Sequence, residues 1–179
     1  MTQNRTLSLI LPAFGAAIIA ALAQIIIPIG AVPITLQTFA VGLVAAILKP
    51  REATLAATLY LILGAIGLPV FAGGGGGLQA FFGPSAGYLL AYPFFAFVTS
   101  KLTQAETPIW KIFLAFVLGD ALVFVGGILS LHFLGKMGWS AAVAVGLTPF
   151  IIPDLLKGLI VALVTKPVLK ALKNHSYFN

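Results

Sequence analysis

Six apolar stretches, at residues 7–27, 34–48, 52–66, 84–102, 108–134 and 147–169, fill most of this 179-residue chain. Glycines and charged residues are enriched in the breaks between them. The first break is Pro28-Ile29-Gly30 with Pro33, the second is Lys49-Pro50-Arg51, and a glycine-rich connection runs from Gly67-Leu68-Pro69 to Gly83. Hydrophobic residues make up 60% of the chain, charged residues 8%, and mean hydropathy is +1.12. A soluble domain of this composition would expose far too much apolar surface. Spanning a hydrocarbon core of roughly 30 Å takes about 20 apolar residues, which leaves room for about six spans and little else. The chain therefore reads as an all-α polytopic membrane protein, with one six-helix transmembrane domain over residues 1–179. The segment at 34–48 is short for a span, and Pro93 predicts a kink in the fourth helix. The N-terminal Met1-Thr2-Gln3-Asn4-Arg5 leads into an apolar run with no convincing cleavage site, which predicts a retained first helix rather than a signal peptide.

The basic residues orient this bundle. Arg5, Lys49, Arg51, Lys101, Lys111, Lys166, Lys170 and Lys173 fall at the termini or in the second–third and fourth–fifth connections, against Lys136 alone on the other side. By the positive-inside rule both termini are expected in the cytoplasm, and the first–second, third–fourth and fifth–sixth loops face outward. The net charge of +6 is thus read as topology and not as a nucleic-acid patch.

Within the last apolar segment lie an acid and a base, Asp154 and Lys157, three residues apart and so on one helical face. Ionisable side chains at membrane depth are costly, and those that are kept face a polar cavity with a function. If the span opens near Leu147, Asp154 lies about 10 Å into it, which suits a pocket open to the outside. A carboxylate accepts only, matching a ligand with paired N–H donors, and Lys157 offers three donors to a carbonyl or carboxylate. Pro153 before Asp154 also fits a capped helix N-terminus with a structural ion pair.

Other polar residues fall on the same outward side. Thr35 and Gln37, at the start of the second segment, can bond a ligand, cap the helix or bond its neighbours. Gln79 and Tyr88 carry the same alternatives, and Tyr88 can also stack on a flat or sulfur-bearing ring. The run Gly73 to Gly77 lets backbone lie close against a ligand, either as a flexible connection or as a lid. It is not a phosphate loop, since no Lys-Ser/Thr follows, and Gly135-Lys136 is followed by Met137. Asp120, midway along the fifth segment, is either a second polar group of the pocket or a packing acid, with packing favoured. His132 and His175 are isolated and outside metal-ligand spacing, and there are no cysteines, so neither a metal nor a disulfide is expected. On the first helix, Ala13, Ala17 and Ala21, with Ala16 and Ala20 beside them, form a small-residue face. Such a face allows close packing within the chain or docking of another membrane subunit.

Four fragments taken together are more specific. Pro33-Ile34-Thr35-Leu36-Gln37-Thr38, Gly67-Leu68-Pro69-Val70-Phe71-Ala72-Gly73-Gly74, Gly83-Pro84-Ser85-Ala86-Gly87-Tyr88-Leu89 and Pro153-Asp154-Leu155-Leu156-Lys157 occur in this order over residues 33–157. In this the chain resembles the BioY family, the biotin-binding S components of energy-coupling factor transporters. The resemblance implies a substrate-binding subunit of the prokaryotic plasma membrane, not an enzyme, that captures biotin from outside without a cofactor. It implies Asp154 and Lys157 as pocket residues, with Asp154 taking the ureido N–H pair, and loops at Thr35–Gln37 and Gly73–Gln79 covering the ligand. Its implied partners are a transmembrane coupling subunit, assigned to the Ala13/Ala17/Ala21 face, and two ATPase subunits. The uninterrupted glycine run leaves Gln79, Lys157 or backbone amides as candidates for the biotin carboxylate. An S component for another small vitamin, a structural membrane subunit and a small intramembrane enzyme are the competing readings. No nucleophile or metal constellation supports the last.

Overall fold

The computed structural model describes residues 2–28, 32–103 and 106–172, with side chains described from residue 6 onward. Ile29 and Gly30 of the expected first break, the Arg5 side chain, Lys173 and His175 lie outside the described residues. The fold is mostly helical: α1 (Thr2–Leu22), α2 (Gln37–Ile47), α3 (Pro50–Ala65), α4 (Ala86–Leu102), α5 (Ile109–Phe133), α6 (Trp139–Gly146) and α7 (Ile151–Leu172). Short 3-10 turns at Ala72–Gly74 and Leu78–Phe81 interrupt the glycine-rich connection.

Several boundaries depart from the apolar segments. The first helix stops at Leu22, and Ile26–Ile27 instead forms β1, antiparallel to β2 (Ile34–Thr35), with Ile26 opposite Thr35 and Ile27 opposite Ile34. The β-branched residues of both strands favour extended backbone, which hydropathy alone does not register. Thr35 therefore sits in a strand and α2 begins only at Gln37. Pro93 does not end α4, which is continuous through it. The last apolar segment does not run as one helix from Leu147. Its first four residues are the break that joins α6, which lies in the expected fifth–sixth loop, to α7, and the two helices are bent by 43° across it. Asp154 consequently lies in the first turn of α7.

By length and composition α5 is the one helix able to cross a membrane among the described residues, with the bent α6–α7 pair as a second; α1 and α2 offer only shorter apolar runs. Only 39% of the α5 window is buried, so its apolar side chains mostly face outward, unlike a soluble core helix. On α7 the same inversion is plain. Asp154, Lys157, Gly158, Val161, Ala162, Thr165 and Leu169 point inward, while Ile152, Leu156, Leu159, Ile160 and Leu163 are exposed. A helix with its polar groups inside and its leucines outside suits an apolar solvent.

The interior is built on small residues that let helices approach. Phe116 of α5 sits against Gly42 of α2 and Gly158 of α7, and its ring packs edge-on to Phe95 of α4, with centroids 5.2 Å apart. That contact pins four helices together close to the cavity described next. A side chain at Gly42 collides with the Phe116 ring, so Gly42→Val should lower stability by about 1–3 kcal/mol, as overpacking does. Thermal unfolding in detergent would register this as a lower midpoint.

Candidate functional site

At the end of the bundle where α7 begins, a cavity of about 440 Å³ lies among α2, α4, α5, α7 and the glycine-rich connection. This falls within the range usual for small-molecule sites, about 300–1,000 Å³. Its deepest polar feature is the Asp154–Lys157 pair, both side chains buried. Lys157 Nζ donates to Asp154 Oδ1 at 2.5 Å and to Thr38 Oγ1 at 3.0 Å. The Thr38 hydroxyl lies 3.3 Å from the same Oδ1. Three groups from two helices thus close into one cluster, and the Asp154 backbone N–H bonds the Phe150 carbonyl at 2.8 Å to start the helix beneath it. Asp154 Oδ2 is left without an N–H or O–H donor among the described residues, on a side chain that borders the cavity.

The walls around this cluster are aromatic. Tyr88 and Tyr92, one turn apart on α4, line the cavity with Phe71, Phe124 and Phe150. Tyr88 lies against Gly127 and donates its hydroxyl to the Gly146 carbonyl at 2.7 Å, which ties α4 to α6 and fixes the ring. Tyr60 meets Phe71 edge-on at 5.4 Å and Tyr92 at 6.5 Å, and Phe71 in turn meets Phe81 at 5.7 Å. Gln37 is held at both ends of its amide, accepting from Thr35 Oγ1 at 3.1 Å and donating to Tyr60 Oη at 2.6 Å.

The glycine-rich connection is a built wall and not a loose tether. Phe71 N–H bonds the Gly75 carbonyl at 2.9 Å, and Gly77 N–H bonds the Gly64 carbonyl at 2.7 Å. The Phe71 ring lies over Gly64. The return between Phe71 and Gly75 needs positive φ at Gly73 (65°) and Gly74 (78°), which L side chains rarely adopt. Gln24, just past α1, reaches the carbonyls of Pro69, Val70 and Phe71 at 3.4, 3.3 and 3.3 Å with its amide nitrogen.

Of the residues singled out from the sequence, Asp154, Lys157, Thr35, Gln37, Gln79 and Tyr88 all border this one cavity. Gly73 and Gly74 do not. They make the turn, facing Ile26 and Gln24, while Gly75 and Gly76 line the cavity in their place. Asp120 is buried but does not line it. His132 donates its Nδ1–H to the Met137 carbonyl and stacks on Trp139, away from the cavity, and the described residues contain no metal-binding cluster. Ala13, Ala17 and Ala21 form an exposed strip on α1, while Ala16 is fully buried against the bundle.

The model of the BioY family matches residues 1–174. The chain belongs to the BioY family. It is 43% identical to the biotin transporter BioY2 of Lactococcus lactis subsp. cremoris, over 99% of both chains. It is 39% identical to the biotin transporter BioY of Thermotoga maritima, covering 79% of this chain and 83% of that one. The crystal structure of an S component for biotin from an ECF-type ABC transporter superposes with a TM-score of 0.89 at 29% identity, over 100% of this chain and 99% of that one.

In this BioY chain the site contains residues that sequence reasoning missed. Thr38 was quoted only as part of a fragment, yet it is the one α2 side chain bonded to Lys157. Its signal was the Gln37-Thr38 step at a helix start, which puts two polar groups into an otherwise apolar segment. Tyr92 repeats Tyr88 at the four-residue spacing of one helix face. Phe71, Phe124 and Phe150 carried no signal beyond hydrophobicity.

Removing one member of a buried ion pair strands the other, at a cost of about 3–5 kcal/mol, whereas replacing both by apolar groups is often neutral. Lys157→Met should therefore destabilise the fold more than the Asp154→Leu/Lys157→Met double variant. Unfolding midpoints of the wild type, both single variants and the double variant would give the coupling.

Proposed function

We propose that this chain is the high-affinity biotin-binding S component of an ECF-type importer, capturing biotin for uptake driven by partner subunits. The observation that carries the reading is Asp154: a carboxylate at the bottom of an aromatic cavity, with one oxygen engaged by Lys157 and Thr38 and the other without a donor. A cyclic urea presents N–H groups that such an acceptor can bind, each charge-assisted bond contributing about 1.5–3 kcal/mol. Tyr88, Tyr92, Phe71 and Phe150 suit the apolar, sulfur-containing ring beside it. The aliphatic arm then runs toward Gly75, Gly76 and Gln79, where backbone amides and the Gln79 amide take the carboxylate, Lys157 being held by Asp154 and Thr38. Thr35 and Gln37 contribute as the rim that positions Tyr60 and α2, and Gly73 and Gly74 act through the turn they make and not by contact.

In this reading the helices form a single six-span membrane domain in the plasma membrane, with α6 and α7 as one broken span and both termini cytoplasmic. Breaking the last span beside the pocket supports this arrangement, because irregular backbone at membrane depth is tolerated where it lines a cavity. The exposed Ala13/Ala17/Ala21 strip is the docking face for the transmembrane coupling subunit, which brings two ATPase subunits. The names of the relatives are those of transporters, and the chain's role is binding without turnover.

Calorimetric titration of biotin into the detergent-solubilised protein should give tight, one-to-one binding. Asp154→Ala should weaken it by about 100-fold or more while the protein remains folded, since it removes at least one charge-assisted bond and strands Lys157. A well-folded wild type that ignores biotin would sink the assignment. The orientation has its own test, made simple by the absence of native cysteines. Lys136→Cys should react with a membrane-impermeant maleimide in intact cells, and Lys49→Cys only after permeabilisation.

A further inference from the structure

Four hydroxyls on the cavity are buried or half-buried, and three of them are engaged within the protein. Thr35 Oγ1 donates to the Gln37 amide oxygen at 3.1 Å, Thr38 lies between Lys157 and Asp154, and Tyr88 donates to the Gly146 carbonyl at 2.7 Å. The fourth, on Tyr92, has no hydrogen-bond partner among the described residues, although its side chain is only 3% exposed and borders the cavity. Ser85 also reaches the cavity, but it is exposed, just ahead of α4, and open to solvent.

A buried hydroxyl without a partner is disfavoured, and native interiors keep few of them. Packing does not account for this one. The Tyr92 ring meets that of Tyr60 at 6.5 Å, tilted by 42°, and a phenylalanine ring would make the same contact. The oxygen is what tyrosine adds, and no group of the protein uses it. The ring is also held in place. Tyr60 is fully buried with its hydroxyl bonded by the Gln37 amide at 2.6 Å, and Tyr88, one turn earlier on α4, is tied to α6.

The cavity thus offers two unmet valences of opposite kind. Asp154 Oδ2 from α7 is an acceptor without a donor, and Tyr92 Oη from α4 is a donor without an acceptor. A ligand that satisfies both carries an N–H and an acceptor oxygen on one small group, the pattern of an amide or a urea. We propose that Tyr92 is a specificity-determining residue, its hydroxyl donating to the carbonyl oxygen of the ligand's urea while Asp154 takes the N–H side. Lys157 has one of its three donors left after Asp154 and Thr38, and a carbonyl oxygen, with two lone pairs, accepts from both. A ligand lacking that oxygen leaves the Tyr92 hydroxyl buried and unpaired, which is how such a site rejects it. The role of Tyr92 rests on the biotin reading above and concerns the urea carbonyl, for which that reading names no partner.

Calorimetric titration of the full detergent-solubilised chain tests this. Tyr92→Phe should bind biotin about 10-fold more weakly than wild type. For 2-thiobiotin, in which C=S replaces the urea C=O and accepts hydrogen bonds poorly, the two proteins should agree within about threefold. Without ligand, Tyr92→Phe should unfold at a midpoint no lower than wild type, because it loses an oxygen that no protein group holds. Unchanged biotin affinity in Tyr92→Phe, or an equal loss for the two ligands, would overturn the role of Tyr92. So would a lower ligand-free midpoint, which would give the hydroxyl a structural bond instead. If 2-thiobiotin binds neither protein, the biotin affinities and the midpoints still decide. A wild type that ignores biotin would refute the biotin reading itself, an outcome distinct from unchanged biotin binding in the variant.

Discussion

Everything at the cavity end of this protein is arranged around a buried carboxylate and ammonium that border the cavity. In an apolar surrounding the two charges attract strongly, but each also loses its hydration, and the balance is favourable only if the geometry is good and the remaining polar valences are filled. The fold meets that condition from separate elements. Helix α7 brings Asp154 and Lys157 one turn apart, and α2 brings the Thr38 hydroxyl. The helices must come close enough for these short side chains to meet. Gly42 and Gly158, both pressed by Phe116, are the positions that allow it.

The same constraint explains where the chain departs from regular helix. A ligand that enters the cavity needs polar partners, and regular helices have none of their backbone groups to spare. The breaks supply them: the bend between α6 and α7, the β1–β2 pair, and the connection after α3 all lie around the cavity or at its rim. The far stretch of α5 and the outer face of α7 stay regular and present leucine, isoleucine and valine outward. Irregularity and polarity are concentrated in one place, and that place is the site.

How much of this was legible in the sequence follows from which signal each feature leaves. Asp154 and Lys157 stood out because charge is rare here, and their three-residue spacing on a helix is local information. Gln37, Gln79 and Tyr88 were visible as polar or aromatic residues on the outward side. The helix limits were harder. Hydropathy reports burial in an apolar phase and not backbone geometry, so Ile26–Ile27 and Ile34–Thr35 read as helix although they pair as strands, and the α6–α7 break was hidden inside one apolar run. In the glycine run the composition announced a special backbone without saying which residues turn and which face inward. Gly73 and Gly74 turned out to make the bend, and Gly75 and Gly76 the wall. The meeting of Thr38 with Lys157 depends on how helices distant in sequence are set against one another, which no local pattern encodes.

One small contact ties the end of α1 to the cavity wall. Gln24 follows the last turn of α1, and its amide touches three successive carbonyls at the start of the cavity wall. The other flank of the same helix is the bare alanine strip. Mechanically, α1 is a rod with a membrane-facing track at its middle and a hook on the cavity's roof at its end. A tilt of that rod reaches the roof through Gln24 and through Ile26, which faces Gly73. The roof of the cavity and its ion-pair floor are thus held by different elements, the one by the end of α1 and the other by α2 and α7.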